Sequence, residues 1–289
     1  MKVATSTPQL RAMLAAERGK RRIVLVPTMG CLHEGHATLI REARKLGDLV
    51  VVSIYVNPLQ FGPNEDFARY PRSFEADAGV CDEAGADVIF HPENLYPDGA
   101  PKVSLTVHGL SDVLCGASRP GHFDGVATVV NILFNAVGPD IAVFGEKDWQ
   151  QLAIIRRMVA DLHMPVEIVG VPTVREAGGL AMSSRNRYLD KQQLLTGRAL
   201  HAALESMRLQ ALTGEHDAAV LLDAGKRVLA AAGISPEYLE IRVADSLESL
   251  TVLDGSPARA FVAARIGPAR LIDNIPIARM TETPCISPC

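Results

Sequence analysis

The sequence predicts an α/β protein, with a doubly wound parallel sheet over residues 1–174 and a smaller α+β domain over residues 175–289. Three observations predict it. Short runs rich in Val and Ile alternate with helical stretches through the first 174 residues, the order that builds a parallel sheet through crossover helices. Those runs are apolar along their length, as strands covered on both faces require. After Val174 the rhythm changes to a polar loop, two long helices and a closing hairpin.

The N-terminal MKVATSTPQLRAMLAAERGKRR reads as a short amphipathic helix, without the continuous apolar core of a signal peptide. Strands are predicted over residues 23–26, 49–56, 87–90, 141–144 and 166–171. Helices are predicted between them, over 38–46, 74–84, 128–137 and 150–162. In such sheets ligands bind beyond the carboxyl ends of the strands, so the loops that follow each strand are the ones to inspect. The polar stretch 175–190 leads to helices over 192–212 and 218–232. Strands over 260–266 and 269–275 follow, joined at Gly267-Pro268 as a hairpin. The closing TETPCISPC reads as a loose tail.

Composition excludes several classes. Hydrophobic residues make up 48% and charged residues 21% of 289, a soluble globular balance. A net charge of −4 lacks the basic footprint that nucleic acid demands. No run of 18 apolar residues offers a membrane span. The five cysteines (Cys31, Cys81, Cys115, Cys285 and Cys289) are odd in number and contain no CxxC pair. That usage fits a reducing, cytoplasmic compartment and supplies no zinc knuckle.

Three loops carry chemistry. Pro27-Thr-Met-Gly-Cys-Leu-His-Glu-Gly-His36 lies between a strand and a helix. Its glycines allow a tight turn and close backbone approach, and the helix N-terminus behind it is an anion site. His33 and His36 lie three residues apart and face the same way on a helical turn. There they suit phosphate oxygens and the charge on departing pyrophosphate. A zinc reading fails, because HExxH spacing and a third ligand are both missing. Phe144-Gly-Glu-Lys-Asp-Trp-Gln-Gln151 again follows a strand. Lys147 offers a mobile charge to phosphate, Asp148 an acceptor or helix cap, and Gln151 a donor–acceptor pair for a hydroxy acid. Met182-Ser-Ser-Arg-Asn186 gathers hydroxyls, backbone amides and a guanidinium. Each alone is a polar loop, whereas the three together point to a nucleotide. Gln60 follows the second strand and points to the same crevice. Asp77 is a candidate ligand for magnesium, weighed against a helix-terminal charge. The segment from Arg119 to Gly125 reads as a turn-rich loop, with His122 structural.

These segments together resemble the pantothenate synthetases. PTMGCLHEGH is similar to that family's PTMGALHEGH, a variant of the HIGH motif of class I nucleotidyl-transferring enzymes. FGEKDWQQL, VGVPTVRE, GLAMSSRNRYL, NPLQFGPNEDFARYPR, SRPGHFDGVATVV and LIDN continue the likeness in order along essentially the whole chain. The resemblance implies a Rossmann-like first domain, a smaller lid domain, a homodimer and a ligase that uses Mg2+ and ATP. Pantoate would attack ATP to give pantoyl adenylate and pyrophosphate, and β-alanine would then displace AMP. By the same resemblance Met29, Gly30, His33, His36, Gly145, Lys147, Asp148, Val174, Met182, Ser183, Ser184 and Arg185 hold ATP. His36 is implied as proton donor beside His33, with Lys147, Ser183 and Arg185 catalytic. Gln60 and Gln151 would hold pantoate, and Asp77 magnesium. Ala76, Cys115, Trp149 and Cys31 depart from the usual family residues, at positions given no catalytic role here.

Two rivals follow from the motifs alone. One is another nucleotidyltransferase of the same superfamily. It is disfavoured by Gln60, Gln151 and the lack of a basic pocket for a phosphorylated substrate. The other is a nucleotide-binding module without turnover, disfavoured by the intact His33, His36, Lys147, Ser183 and Arg185.

Overall fold

The computed structural model describes residues 1–63, 65–96 and 99–277. The chain divides into two units, Met1–Val174 and a second that begins at Arg175. The predicted C-terminal tail, with Cys285 and Cys289, lies outside the described residues.

In the first unit, β2 (Ile23–Thr28), β3 (Leu49–Ile54), β4 (Val88–Phe90), β5 (Ile141–Gly145) and β6 (Glu167–Val171) form the parallel sheet. All six residues of β3 are buried, as a continuous apolar run in a two-sided sheet should be. A sixth strand, β1 (Lys2–Ala4), pairs in parallel with β4 at the sheet edge. The sequence pattern alone gives only the N-terminal helix here, because three residues show no period. Only the pairing with β4 makes it a strand. Ser6 then caps α1 (Thr7–Ala15), its hydroxyl accepting from the Gln9 N–H at 3.4 Å.

The strand order is β1-β4-β3-β2-β5-β6. From β2 the chain first builds outward through β3 and β4, then returns to place β5 on the other side of β2. The direction reverses between β2 and β5, and a reversal of this kind opens a crevice at the strand carboxyl ends. The helices α2 (Glu34–Leu46), α3 (Phe74–Ala84), α4 (Leu114–Ser118), α5 (His122–Val137) and α6 (Trp149–Asp161) connect the strands. Ile40, Ala43, Cys81 and Ala84 on α2 and α3 pack with Val24, Val26, Val50, Val52 and Ile89 of the sheet in one buried cluster. The predicted turn-rich loop is shorter than expected, since α5 begins at His122 behind Gly121, whose φ is 77°.

The second unit holds α7 (Lys191–Leu212), α8 (Ala218–Ala231) and an antiparallel sheet of β7 (Pro236–Val243), β8 (Ala258–Ile266) and β9 (Ala269–Pro276). Ile266 pairs with Ala269 across the expected two-residue hairpin, where Gly267 takes a φ of 53°. Strand β7 has no counterpart among the predicted strands. Its PEYLEIRV carries charged residues whose partners the fold supplies: Glu237 accepts from Arg270 Nε of β9 at 2.8 Å, and Glu240 from Arg242 Nε within β7 at 2.7 Å. Leu200, Leu204 and Met207 of α7 and Leu221 of α8 close over Val262 and Ala264 to form the core of this unit.

No helix among the described residues is long and apolar enough to cross a membrane.

Candidate active site

The reversal point joins two of the predicted loops within the first unit. The loop after β2 begins with Met29 and Gly30 and passes into α2 at Glu34, so the second half of the HxxH segment is already helical. Gly30 has φ 82° and Cys31 φ 54°. A non-glycine residue in that left-handed region carries strain of order 1–3 kcal/mol, which neighbouring contacts must offset. They do so at Asp77 of α3, whose carboxylate accepts from Cys31 N–H at 2.9 Å and Leu32 N–H at 2.7 Å.

His33 and His36 form the cap of α2. The Nδ1 of His33 accepts from Gly35 N–H at 3.1 Å, and the Nδ1 of His36 accepts from His33 N–H at 3.3 Å. The two ring centroids lie 4.1 Å apart. A ring nitrogen that accepts carries no proton, so a neutral His36 ring holds its proton on Nε2. Burial, then the charges of His33 and Lys147, push His36 down to about 3, with Asp148 opposing. His36 is therefore neutral at physiological pH. In that state His36 offers Nε2–H as a neutral hydrogen-bond donor, because lost hydration and positive neighbours disfavour the imidazolium.

Lys147 and Asp148 act on His36 electrostatically, and the loops that carry them follow two paired neighbouring strands, β2 and β5. Lys147 Nζ lies 3.5 Å from the Asp148 carboxylate, within the turn (Glu146–Asp148) that opens α6. A side chain at Gly145 would face Leu39 of α2. Of the tandem glutamines on α6, Gln150 is spent on structure: it accepts from Cys115 N–H at 3.0 Å and donates to the carbonyls of Leu110 and Val113 at 2.8 Å. Gln151 is the partly exposed member of the pair.

Gln60 sits in the short turn after β3 (Pro58–Gln60), and its Nε2 approaches Met29 Sδ at 3.2 Å. This brings a third loop to the same place. Asn57, a residue that sequence analysis did not single out, is buried at 1% exposure. It donates to Gln60 Oε1 and to the Gly125 carbonyl, both at 3.0 Å, and accepts from Tyr96 O–H at 2.8 Å. The available signal was an Asn directly before a proline at a strand end.

His122 links Arg119 to the turn that carries Gln60. Arg119 Nη1 donates to His122 Nε2 at 2.9 Å, so Nδ1 carries the proton and donates to the Gln60 carbonyl at 2.8 Å. Burial and then Arg119 push His122 down to about 4. Arg119 in turn grips Glu65 through Nε at 2.6 Å and Nη2 at 2.5 Å. Burial raises Glu65, but the Arg119 bonds and charge outweigh it and hold the carboxyl below its ordinary value.

Asp77 is not placed as a metal ligand would be. It is 2% exposed, and each of its two oxygens faces a backbone amide, of Cys31 and of Leu32. Among the described residues no group of three or more His, Cys, Asp or Glu is arranged to hold an ion.

Val174 ends the first unit, three residues beyond β6. Met182, Ser183, Ser184 and Arg185 belong to the second unit. Ser183 caps a short turn (Ser184–Tyr188), its Oγ accepting from Arg185 N–H at 3.3 Å. Asn186 donates to Glu176 Oε1 at 2.7 Å and to the Ala181 carbonyl at 3.1 Å. Arg175 grips Asp273 of β9 at 2.7 and 3.0 Å, and Asp273 itself is buried.

Comparison with known proteins adds the following. The Pantoate-beta-alanine ligase family profile matches residues 2–276. A pantothenate synthetase of Pseudomonas putida is 50% identical over 279 residues, covering 95% of this chain and 97% of that protein. One of Acidiphilium cryptum is 51% identical over 281 residues, covering 96% and 100%. The crystal structure of pantothenate synthetase from Thermus thermophilus matches with a TM-score of 0.91 at 46% identity, over 96% of this chain and all of that one. A pantoate-beta-alanine ligase from Francisella tularensis, complexed with beta-gamma ATP and beta-alanine, matches with a TM-score of 0.80 at 32% identity, over 96% and 97%.

Proposed function

The chain belongs to the pantoate–β-alanine ligase family, and from that premise we propose how its residues carry the reaction. It condenses pantoate with β-alanine at the expense of ATP, releasing AMP and pyrophosphate. In the first half-reaction a pantoate carboxylate oxygen bonds to the α-phosphorus while the bond to pyrophosphate breaks. In the second, the β-alanine amine attacks the acyl carbon, the C–N bond forms, and the acyl–phosphate oxygen bond breaks to release AMP.

The observation that carries the assignment of residues is the meeting of the β2 and β5 loops at the reversal point, with neutral His36 beside Lys147. The rings of His33 and His36 and the N-terminus of α2 supply fixed donors to phosphate oxygens. Each donor aimed at developing charge contributes roughly 3–4 kcal/mol to catalysis. Lys147 neutralises phosphate charge, and Asp148 holds Lys147 by its carboxylate. Met29, Gly30 and Gly145 provide close backbone approach, with Val174 at the nucleotide. Gln60 and Gln151 orient pantoate, and fixing the two reactants supplies roughly 7–11 kcal/mol of the barrier. Met182, Ser183, Ser184 and Arg185 are assigned to the nucleotide on the family resemblance of their segment, and the second unit acts as the lid that carries them.

Magnesium enters as part of the substrate, Mg·ATP, which holds most of its own ligands as phosphate oxygens and water. Asp77 does not fit a resident ion, and no step is drawn through one. The enzyme is further assigned as a cytoplasmic homodimer on the family resemblance. The test is AMP release from Mg·ATP with pantoate and β-alanine, omitting each acid in turn. AMP that requires both acids, matched by pantothenate, supports the reading. ATP binding without turnover under all conditions overturns it.

A further inference from the structure

We propose that Asp77 is a positioning residue for the first half-reaction: its carboxylate holds the strained turn at residues 30–32 and thereby aims His33 and His36. The inference rests on the ligase reading above and assigns a role within that site. Asp77 reaches the loop from the first turn of α3. Its Oδ2 takes the Cys31 N–H at 2.9 Å and its Oδ1 the Leu32 N–H at 2.7 Å. Two successive amides are thus fixed by one rigid, buried group, at 2% exposure.

The loop is built around that carboxylate. A Cβ on Gly30 would come within 2.8 Å of Asp77 Oδ2 and 3.1 Å of Ile54. Gly30 is therefore required twice, for its φ of 82° and for the space the carboxylate occupies. Cys31 holds a φ of 54° while its N–H is gripped. Leu32 directly precedes His33, whose backbone N–H in turn fixes the His36 ring. A displacement at Asp77 passes along three covalently linked residues to both imidazoles. An ion ligand would instead need lone pairs open to phosphate and water.

The experiment uses the full chain with Asp77→Asn, which keeps one acceptor but turns an NH2 group against an amide donor. Pantoate-dependent ATP–pyrophosphate exchange reads the first half-reaction. Pantothenate formation from supplied pantoyl adenylate and β-alanine reads the second. Both are measured across a magnesium titration. The expected result is a loss of about a hundredfold in exchange kcat, the scale of a misplacement near 1 Å. The second half-reaction should fall by no more than about threefold, and the half-saturating magnesium concentration should not move. A role in fold stability alone would lower neither half-reaction selectively. Should Asp77→Asn not fold, Asp77→Glu keeps the charge but shifts the carboxylate by one methylene, and it should give the same split. Recovery of exchange at high magnesium, equal loss in both half-reactions, or unchanged exchange would each overturn the proposal. Failure of the ligase reading shows separately, as absence of pantoate-dependent exchange in the unmodified enzyme.

Discussion

The two loops richest in phosphate donors are held in opposite ways. After β2 the loop is pinned from inside: a buried carboxylate grips two backbone amides, and two histidines cap the helix that follows. In the second unit the segment 182–188 is tethered by side chains, Asn186 to Glu176 and, further back, Arg175 to Asp273. Backbone amides gripped by a short carboxylate have few ways to rearrange. Long side chains can release one partner and find another at the cost of a few torsions. A loop that must present donors at fixed distances suits the first construction, and a loop that must rearrange suits the second.

The largest expected effect tests the fixed side. His36→Ala removes one aimed donor, and pantoate-dependent exchange should fall by roughly a hundredfold or more. Circular dichroism should show the fold intact, and unchanged turnover would remove His36 from the site.

The tether of the second unit comes next. Arg175→Met leaves Asp273 buried without its bidentate partner, and urea unfolding should show a loss of about 3 kcal/mol. Replacing both partners, as Arg175→Met with Asp273→Leu, should recover much of that loss. A single variant as stable as the parent would show that the tether carries no load.

A third test uses pH. His36 and His122 are depressed to about 3 and about 4. Between those values and about 6.5 the unfolded chain binds protons that the folded chain refuses. Stability is therefore full above pH 6.5 and falls as the pH drops through that window, by at most about 1.4 kcal/mol per pH unit for each histidine. Urea midpoints from pH 7 to pH 4.5 measure the slope, and His122→Gln should flatten it. NMR of the ring nitrogens should find the proton on Nε2 in His36 and on Nδ1 in His122. Ordinary titration of either ring near 6.5 would contradict the geometry.

The smallest effect is a control on the surface. Arg22 and Glu167 pair at 2.8 Å while both are more than half exposed. Glu167→Gln should change stability by no more than about 0.5 kcal/mol, since water and salt screen such a pair.

Much of the sheet was legible because its strands are buried on both faces and leave unbroken apolar runs, as β3 shows over all six residues. The short edge strand β1 and the charged β7 were not, since both depend on partners distant in sequence. In the site, the glycine-rich loop and the Lys147 turn could be located by their place after strands. Asn57 was overlooked because its importance lies in three hydrogen bonds to separate segments. Asp77 was read as an ion ligand because a carboxylate's exposure does not show in sequence.

The sequence by itself determined the alternation of strands and helices, the order of the motifs and hence the family and its reaction. These depend on local residue types and on spacing along the chain. The tertiary structure decided which loops meet, because only the reversal between β2 and β5 brings Lys147 to His36. It also decided the protonation of that histidine and turned Asp77 inward to the backbone. Both outcomes depend on desolvation and on groups brought together from distant parts of the sequence, and those exist only once the chain has packed.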